Sequence, residues 1–336
     1  MIVSFLFICF LLSLTLTGLF RRYAISKKLL DIPNNRSLHT VAIPRGGGLA
    51  IVITFLLSLV GLFLFDFISV NMAVSLIGAT LLVAGVGLWD DYHDSSIILR
   101  LFVHFMSAFW LLFWLNESQL NHLFYFYYLS DWFLLFLTSF LLVWLLNLYN
   151  FMDGIDGIAS SEAVFTSAAL GVFAYIDGHI NISLVAFSLM MSTLGFLIFN
   201  WPPAKIFMGD VGSGFLGIAI GGIMLALMSE SQLVWPYIVL LGVFLIDATV
   251  TLLIRFFRKE RWYEAHCSHA YQHAARKWGH AKVTMSINLI NLFWLLPCSF
   301  VAFFFPDTAL FVAFVAFVPL VVAVLMLGAG KAVGDK

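Results

Sequence analysis

The sequence predicts an all-α fold, a polytopic integral membrane bundle of about 11 transmembrane helices. Three observations carry that prediction. Of 336 residues, 62% are hydrophobic and 10% charged, with a mean hydropathy of +1.02. A soluble domain of this length needs a far more charged surface. The apolar runs approach or exceed the roughly 20 residues that span a bilayer, unlike the alternating segments of about ten residues in a β-barrel. Finally, all 17 Lys and Arg fall in alternate loops.

The apolar segments, in order, are 2–20, 47–65, 72–89, 99–115, 126–147, 159–176, 182–199, 213–228, 233–254, 283–304 and 308–328. The first lacks a basic leader region and a small-residue cleavage site before Arg21, so it reads as a retained span. Loops 21–46, 90–100, 148–158, 200–213 and 255–282, with the C-terminal tail, hold every Lys and Arg. The opposite loops hold none, but carry Asp66, Glu117, Asp177, Glu230 and Asp307. The positive-inside rule makes the basic loops cytoplasmic, which puts the N-terminus outside and the C-terminus in the cytoplasm. No internal repeat or linker divides the chain, so residues 1–336 read as one integral membrane domain. Cys9, Cys267 and Cys298 are scattered, which excludes a disulfide framework and a paired CxxC zinc site.

The polar clusters share the cytoplasmic face. The stretch N-L-Y-N-F-M-D-G-I-D-G, residues 147–157, sets Asn147, Asn150, Asp153 and Asp156 three apart, which places neighbouring members on one helix face. Such all-oxygen groups suit a hard ion such as Mg²⁺. An EF-hand is excluded, because the twelfth position from Asp153 is Val164 rather than Glu. Asp90 and Asp91 close the third span, where two acids oppose the helix dipole and a bound cation would offset the cost. Gly212–Gly217 matches G-x-G-x-x-G, yet no strand precedes it, so helix packing is the better reading there. Asp210, in G-D-V-G-S, instead sits at a helix start that favours phosphate oxygens. His266, His269 and His273 lie in a basic loop, with substrate-phosphate or sugar contact preferred over zinc. Asp247 lies inside the ninth span, either as a functional acid or paired with a polar group of a neighbouring helix.

N-x-x-N-x-x-D-G-x-D-G, F-M-G-D-x-G-S, the Asp pair after the third span and the last-loop histidines occur in order on one face. Together they resemble the polyprenyl-phosphate N-acetylhexosamine-1-phosphate transferases (MraY/WecA type, glycosyltransferase family 4). The resemblance covers nearly the whole chain. It implies transfer of an amino sugar-1-phosphate from a UDP-N-acetylhexosamine donor to undecaprenyl phosphate, with release of UMP, in the bacterial inner membrane. It implies Mg²⁺, with Mn²⁺ as a substitute, held by Asp210 with Asn150. Asp90, Asp91, Asp153, Asp156, His266 and His269 would be catalytic. Asn147, Phe207 (stacked on uracil), Arg36, His39, Arg45, Gly46 and Lys205 would bind substrate, with Asn35 in the same first-loop segment. The partners implied are the lipid acceptor, the donor and the bilayer. No nucleic acid is expected, and a homodimer is left open.

The spacing A-H-C-S-H-A-Y-Q-H, without adjacent histidines, looks closer to the O-antigen-initiating branch than to the peptidoglycan branch. The lipid-linked glycan would then belong to lipopolysaccharide. The alternative donor is UDP-MurNAc-pentapeptide. Outside the enzymes, the alternatives are an ion-coupled secondary transporter using Asp247 and Asp153, which would want midplane sites and repeats, or a scaffold recruiting cytosolic partners.

Overall fold

The computed structural model describes residues 2–33, 41–93, 95–115, 131–260 and 267–331. Inside a bilayer each backbone N–H and C=O needs a partner within the protein, and a helix supplies it locally. The apolar runs accordingly form α1 (Ile2–Ser26), α2 (Gly48–Leu64), α3 (Val70–His93), α4 (Ile97–Leu115), α5 (Asp131–Phe151), α6 (Ile158–Ile176), α7 (Ile180–Asn200) and α8 (Asp210–Ser231). They continue through α9 (Trp235–Leu240), α10 (Gly242–Phe257), α11 (Ala270–Trp278), α12 (His280–Ile290), α13 (Leu296–Phe304) and α14 (Ala309–Met326). Among the described residues, nine helical stretches are long and apolar enough to cross a membrane. The chain is therefore an all-α, multi-pass membrane protein. The two remaining predicted segments are also helical: α2, of 17 residues, and the α9–α10 pair. That pair breaks at Leu241, whose N–H bonds to the Ile238 carbonyl three residues back.

The last predicted segment but one is also irregular. Residues Asn291–Leu295 form a π-helical turn between α12 and α13. Pro297 follows it, has no N–H and crowds the carbonyl four residues earlier, so the ladder widens there. The N–H of Leu296 accordingly bonds to the Asn291 carbonyl five residues back.

α8 is the central helix, with 94% of its most apolar stretch buried. It packs chiefly on α3 and α5, and also touches α2, α4, α6 and α7. Glycine makes this possible. A Cβ on Gly48 would come within 2.5 Å of the Gly212 Cα, and one on Gly217 within 2.7 Å of the Leu146 Cα. Since lipid tails are as apolar as leucine, helices in a bilayer associate by such close packing. The G-x-G-x-x-G stretch thus serves helix contact.

Several boundaries differ from the sequence reading, each for a local reason. α3 runs on to His93, so Asp90 and Asp91 occupy its last turns. α8 starts at Asp210 rather than 213. The basic loop 255–282 contains α11, which was not predicted because its residues, A-Y-Q-H-A-A-R-K-W, are amphipathic and too few to span. The three-residue spacing of 150, 153 and 156 does not continue along one helix. α5 ends at Phe151, and Asp153 and Asp156 ride the following turn, closed by Gly157 at φ +74°. A two-residue β-bridge, Leu30–Asp31 against Ile43–Pro44, brings the first loop back toward the bundle. The chain at 207–208 is then stitched to it: Phe207 N–H donates to the Pro44 carbonyl (2.8 Å), and the N–H groups of Gly47 and Gly48 donate to the carbonyls of Phe207 and Met208 (2.9 Å each).

Candidate active site

That stitching, with the ends of α3, α5 and α8, builds a cavity of about 260 Å³. Asp31, Asp91, Asp153, Asp156 and Asp210 line it, with Arg45, Asn150, Asn200, Phe207, Gln272 and His280. Five carboxylates in one small cavity repel one another and any phosphate, unless cations intervene.

Each acid is held differently. Asp91 accepts the N–H groups of Asp210 (3.1 Å) and Val211 (3.2 Å), so it caps the start of α8 from the end of α3. The positive end of the α8 dipole thereby offsets the unfavourable end of α3. The Arg45 guanidinium donates to the Asp91 carbonyl beside it. Asp90 accepts from Ser95 N–H and Oγ (2.6 Å each), pairs with Arg100 at 2.7 Å and stands against the Asp210 carboxyl. The cost of two adjacent acids at a helix end is therefore met largely by protein groups. Gly209 permits the turn into α8 at φ +77°, where a Cβ would lie 2.6 Å from the Asp91 carboxylate.

Asn150 joins the α5 end to α8. Its Oδ1 accepts from Ser213 Oγ (2.9 Å), and its Nδ2 lies 3.5 Å from Asp210 Oδ2. Arg100 Nη1 lies 3.5 Å from the same Asp210 oxygen. Asp156 accepts the Ala204 N–H (3.0 Å) and meets His280 Nδ1 at 3.1 Å, while its carbonyl accepts from Thr284 Oγ1 (2.8 Å). Asn200 holds the same turn, accepting from Gly157 N–H (3.2 Å) and Ser160 Oγ (2.7 Å). Asp153 has no side-chain hydrogen bond or ion pair among the described residues. Burial first, then the charges of Asp210, Asp91 and Asp156, push its carboxyl well above the usual carboxylate range.

The remaining predicted residues divide. Phe207 and Arg45 line the cavity. Gly46, at φ +89°, Asn147 and Lys205 do not line it. Lys205 is exposed, and its carbonyl accepts from Arg21 (3.2 Å). His269 is buried and stands outside the lining, behind α11 residues. Asn35, Arg36, His39 and His266 lie outside the described residues. Asn147 donates to the Val143 carbonyl and faces a second, largely apolar groove of about 300 Å³. Leu101, Phe105, Phe140, Val143 and Trp144 line this groove, and it shares Asn150 and Asp210 with the acidic cavity.

The donor chemistry fits a hard divalent cation: Asp210, Asn150 and Asp153 offer oxygens without thiol or imidazole. Among the described residues, no three His, Cys, Asp or Glu side chains are already gathered as a metal cluster. Mg²⁺ keeps several waters and takes only one or two carboxylates, so a closed cage is not required.

Known proteins share this arrangement of sequence. A profile described as glycosyl transferase family 4 matches residues 73–228. Over 268 residues the chain is 30% identical to a protein of Bacillus subtilis (strain 168) named "probable undecaprenyl-phosphate N-acetylglucosaminyl 1-phosphate transferase", covering 77% of this chain and 73% of that one. The chain belongs to glycosyl transferase family 4. It is also 38% identical over 128 residues to a phospho-N-acetylmuramoyl-pentapeptide-transferase of Streptococcus pneumoniae (strain Taiwan19F-14), covering 37% of this chain and 38% of the relative. To the Levilactobacillus brevis protein of the same name it is 32% identical over 196 residues, covering 54% and 58%.

The family match runs from α3 to the end of α8, so it contains Asp91, Asn150, Asp153, Asp156, Phe207 and Asp210. Arg45, Gln272 and His280 reach the same cavity from outside it. Sequence reasoning missed Asn200, Gln272, His280 and the Arg100 bridge. The available signal was a polar residue closing an apolar run, as Asn200 does at the end of α7.

Proposed function

We propose that this chain transfers N-acetylhexosamine-1-phosphate from a UDP-sugar to undecaprenyl phosphate and releases UMP, the step that starts a lipid-linked glycan. The observation that carries the reading is the meeting of an acidic cavity and an apolar groove at Asn150 and Asp210. A nucleotide donor needs a polar site open to water. A polyprenyl acceptor needs apolar walls, with its phosphate at the boundary. The basic loops favour a cytoplasmic site in the inner membrane.

In this reading the groove takes the first isoprene units, and Arg100, steadied by Asp90 and Ser95, binds the lipid phosphate. Phe207 stacks on uracil, and Arg45 meets the donor diphosphate. Asp156, fixed by Ala204 and His280, accepts from the nucleoside side. Asp210, Asn150 and Asp153 would hold Mg²⁺ (or Mn²⁺), which when bound supplies charge neutralisation for the diphosphate and the leaving group. A lipid-phosphate oxygen bonds to the sugar-bearing phosphorus directly. The bond from that phosphorus to the bridging oxygen breaks, and its electron pair leaves with UMP. The protein's main contribution is positioning and charge.

The name of the Bacillus subtilis relative supports a simple amino sugar as donor, and the A-H-C-S-H spacing alone favours an O-antigen-type glycan. The Streptococcus pneumoniae stretch supports UDP-MurNAc-pentapeptide as the second reading. Purified protein offered each donor with undecaprenyl phosphate separates them. Lipid-linked product from UDP-GlcNAc or a related UDP-amino sugar is expected. Product from the pentapeptide donor alone reverses the assignment.

A further inference from the structure

His269 and the intramembrane acid Asp247 are joined in one buried arrangement. Asp247, on α10, is 3% exposed. Its Oδ1 accepts the Ala270 N–H (2.9 Å) and its Oδ2 the Tyr271 N–H (2.8 Å). Thr251 Oγ1 adds a third bond at 3.1 Å, and His269 Nδ1 lies 3.5 Å away. The first N–H groups of a helix have no partner within it, and a carboxylate there is favoured by the dipole. A buried acid is thus fully used in holding the start of α11.

His269 is the N-cap of the same helix, with extended backbone (φ −70°, ψ 148°). It forms a reciprocal capping box with Gln272, whose Oε1 accepts the His269 N–H (3.2 Å). Its ring is 2% exposed and stacks on Phe151 and Tyr271. From the other side, Gly330 N–H holds the Ser268 carbonyl at 2.8 Å. What α11 presents to the site is different: Gln272 lines the cavity, and Tyr271 Oη donates to the Phe151 carbonyl (2.9 Å), two residues before Asp153.

We propose that Asp247 and His269 are positioning residues. Together they seat α11, so that Gln272 reaches the donor cavity and Tyr271 fixes the Asp153 turn, and His269 works as a helix cap rather than as a contact to the sugar or diphosphate. The inference deepens the transferase reading, and one arm of its test is independent of that reading.

Asparagine is among the best N-cap residues but has no imidazole, so H269N and H269A separate the two roles. The full-length protein in detergent serves for both arms. In the first, a membrane-impermeant maleimide alkylates Cys267, next to the cap, and mass spectrometry locates the adduct. In the second, kcat and the donor KM are measured. H269A and D247N are expected to speed Cys267 alkylation at least about fivefold and lower kcat/KM about tenfold or more, as slight misplacement does. H269N recovers most of both losses, and D247N/H269A is no worse than the poorer single variant, as coupled residues require. An H269N protein as inactive as H269A, with Cys267 as protected as in wild type, would overturn the proposal. So would additive losses in the double variant. If wild type releases no UMP from any donor, the transferase reading fails. The alkylation arm then decides alone: unchanged labelling in H269A and D247N rejects the positioning role.

Discussion

Asp210 is the residue on which most of the site converges: Asp91 binds its N–H, Asn150 and Arg100 approach its carboxylate, and both cavities reach it. D210N keeps the shape and removes the charge. Turnover is expected to fall at least about a hundredfold, on the scale of removing one electrostatic stabiliser from an active site, while the protein still inserts and stays monodisperse. Asp153 makes a second prediction. Its carboxyl is raised, so it keeps a proton into the pH range where ordinary carboxylates are charged. A raised acid stabilises the fold most below its unfolded value, and that stability is lost as pH climbs toward the folded value. A cation binding there must displace the proton. The rise in Tm on adding Mg²⁺ should therefore grow as pH climbs above the usual carboxylate range. D153N should flatten that growth, and a pH-independent rise in wild type would count against Asp153 as a ligand. The acids and Asn150 were legible because charged groups are rare in so apolar a chain. His280 and Gln272 were not, since nothing local in their sequence shows which turn α11 and α12 pack against.

At the scale of elements, α3 and α8 meet end to end through Asp91, and Gly209 makes the approach possible. G209A introduces a Cβ at positive φ that would press on the Asp91 carboxylate. Strain of about 1–3 kcal/mol is expected, seen as a lower Tm together with a loss of turnover. A G209A protein with wild-type stability and turnover would show that this junction tolerates displacement. The helices themselves were readable from apolar run length. Their ends were not, because caps supplied from other helices, as Asp91 caps α8, are set by tertiary packing. α11 escaped notice for the opposite reason: it is short and polar, and Asp247, 23 residues earlier, anchors it. The same anchoring answers the sequence-level question about that acid. It pairs with backbone of a neighbouring helix, which accounts structurally for one of the two acids that an ion-coupled transporter would use.

Across the whole molecule, the bundle separates a polar, acidic cavity from a largely apolar groove and joins them at Asn150 and Asp210. In the proposed reading the cavity takes the donor and the groove the acceptor. A bulky residue in the groove should affect one substrate only. L101W, at a half-exposed groove position, is expected to raise the KM for undecaprenyl phosphate several-fold, about what one lost apolar contact is worth, and to leave the donor KM unchanged. Equal changes in both constants would place the lipid elsewhere. The all-α class followed from composition, the length of the apolar runs and the sorting of Lys and Arg into alternate loops. The junction of the two cavities did not, because it depends on α3, α4, α5 and α8 converging from a stretch of chain more than a hundred residues long.

The central claim is the bond that breaks. Purified protein in detergent, given undecaprenyl phosphate, Mg²⁺ and a panel of radiolabelled UDP-amino sugars, should release UMP in step with label entering the lipid phase, and D210N should do neither. Release of UDP in place of UMP, or no UMP from any donor in the panel, would contradict the account.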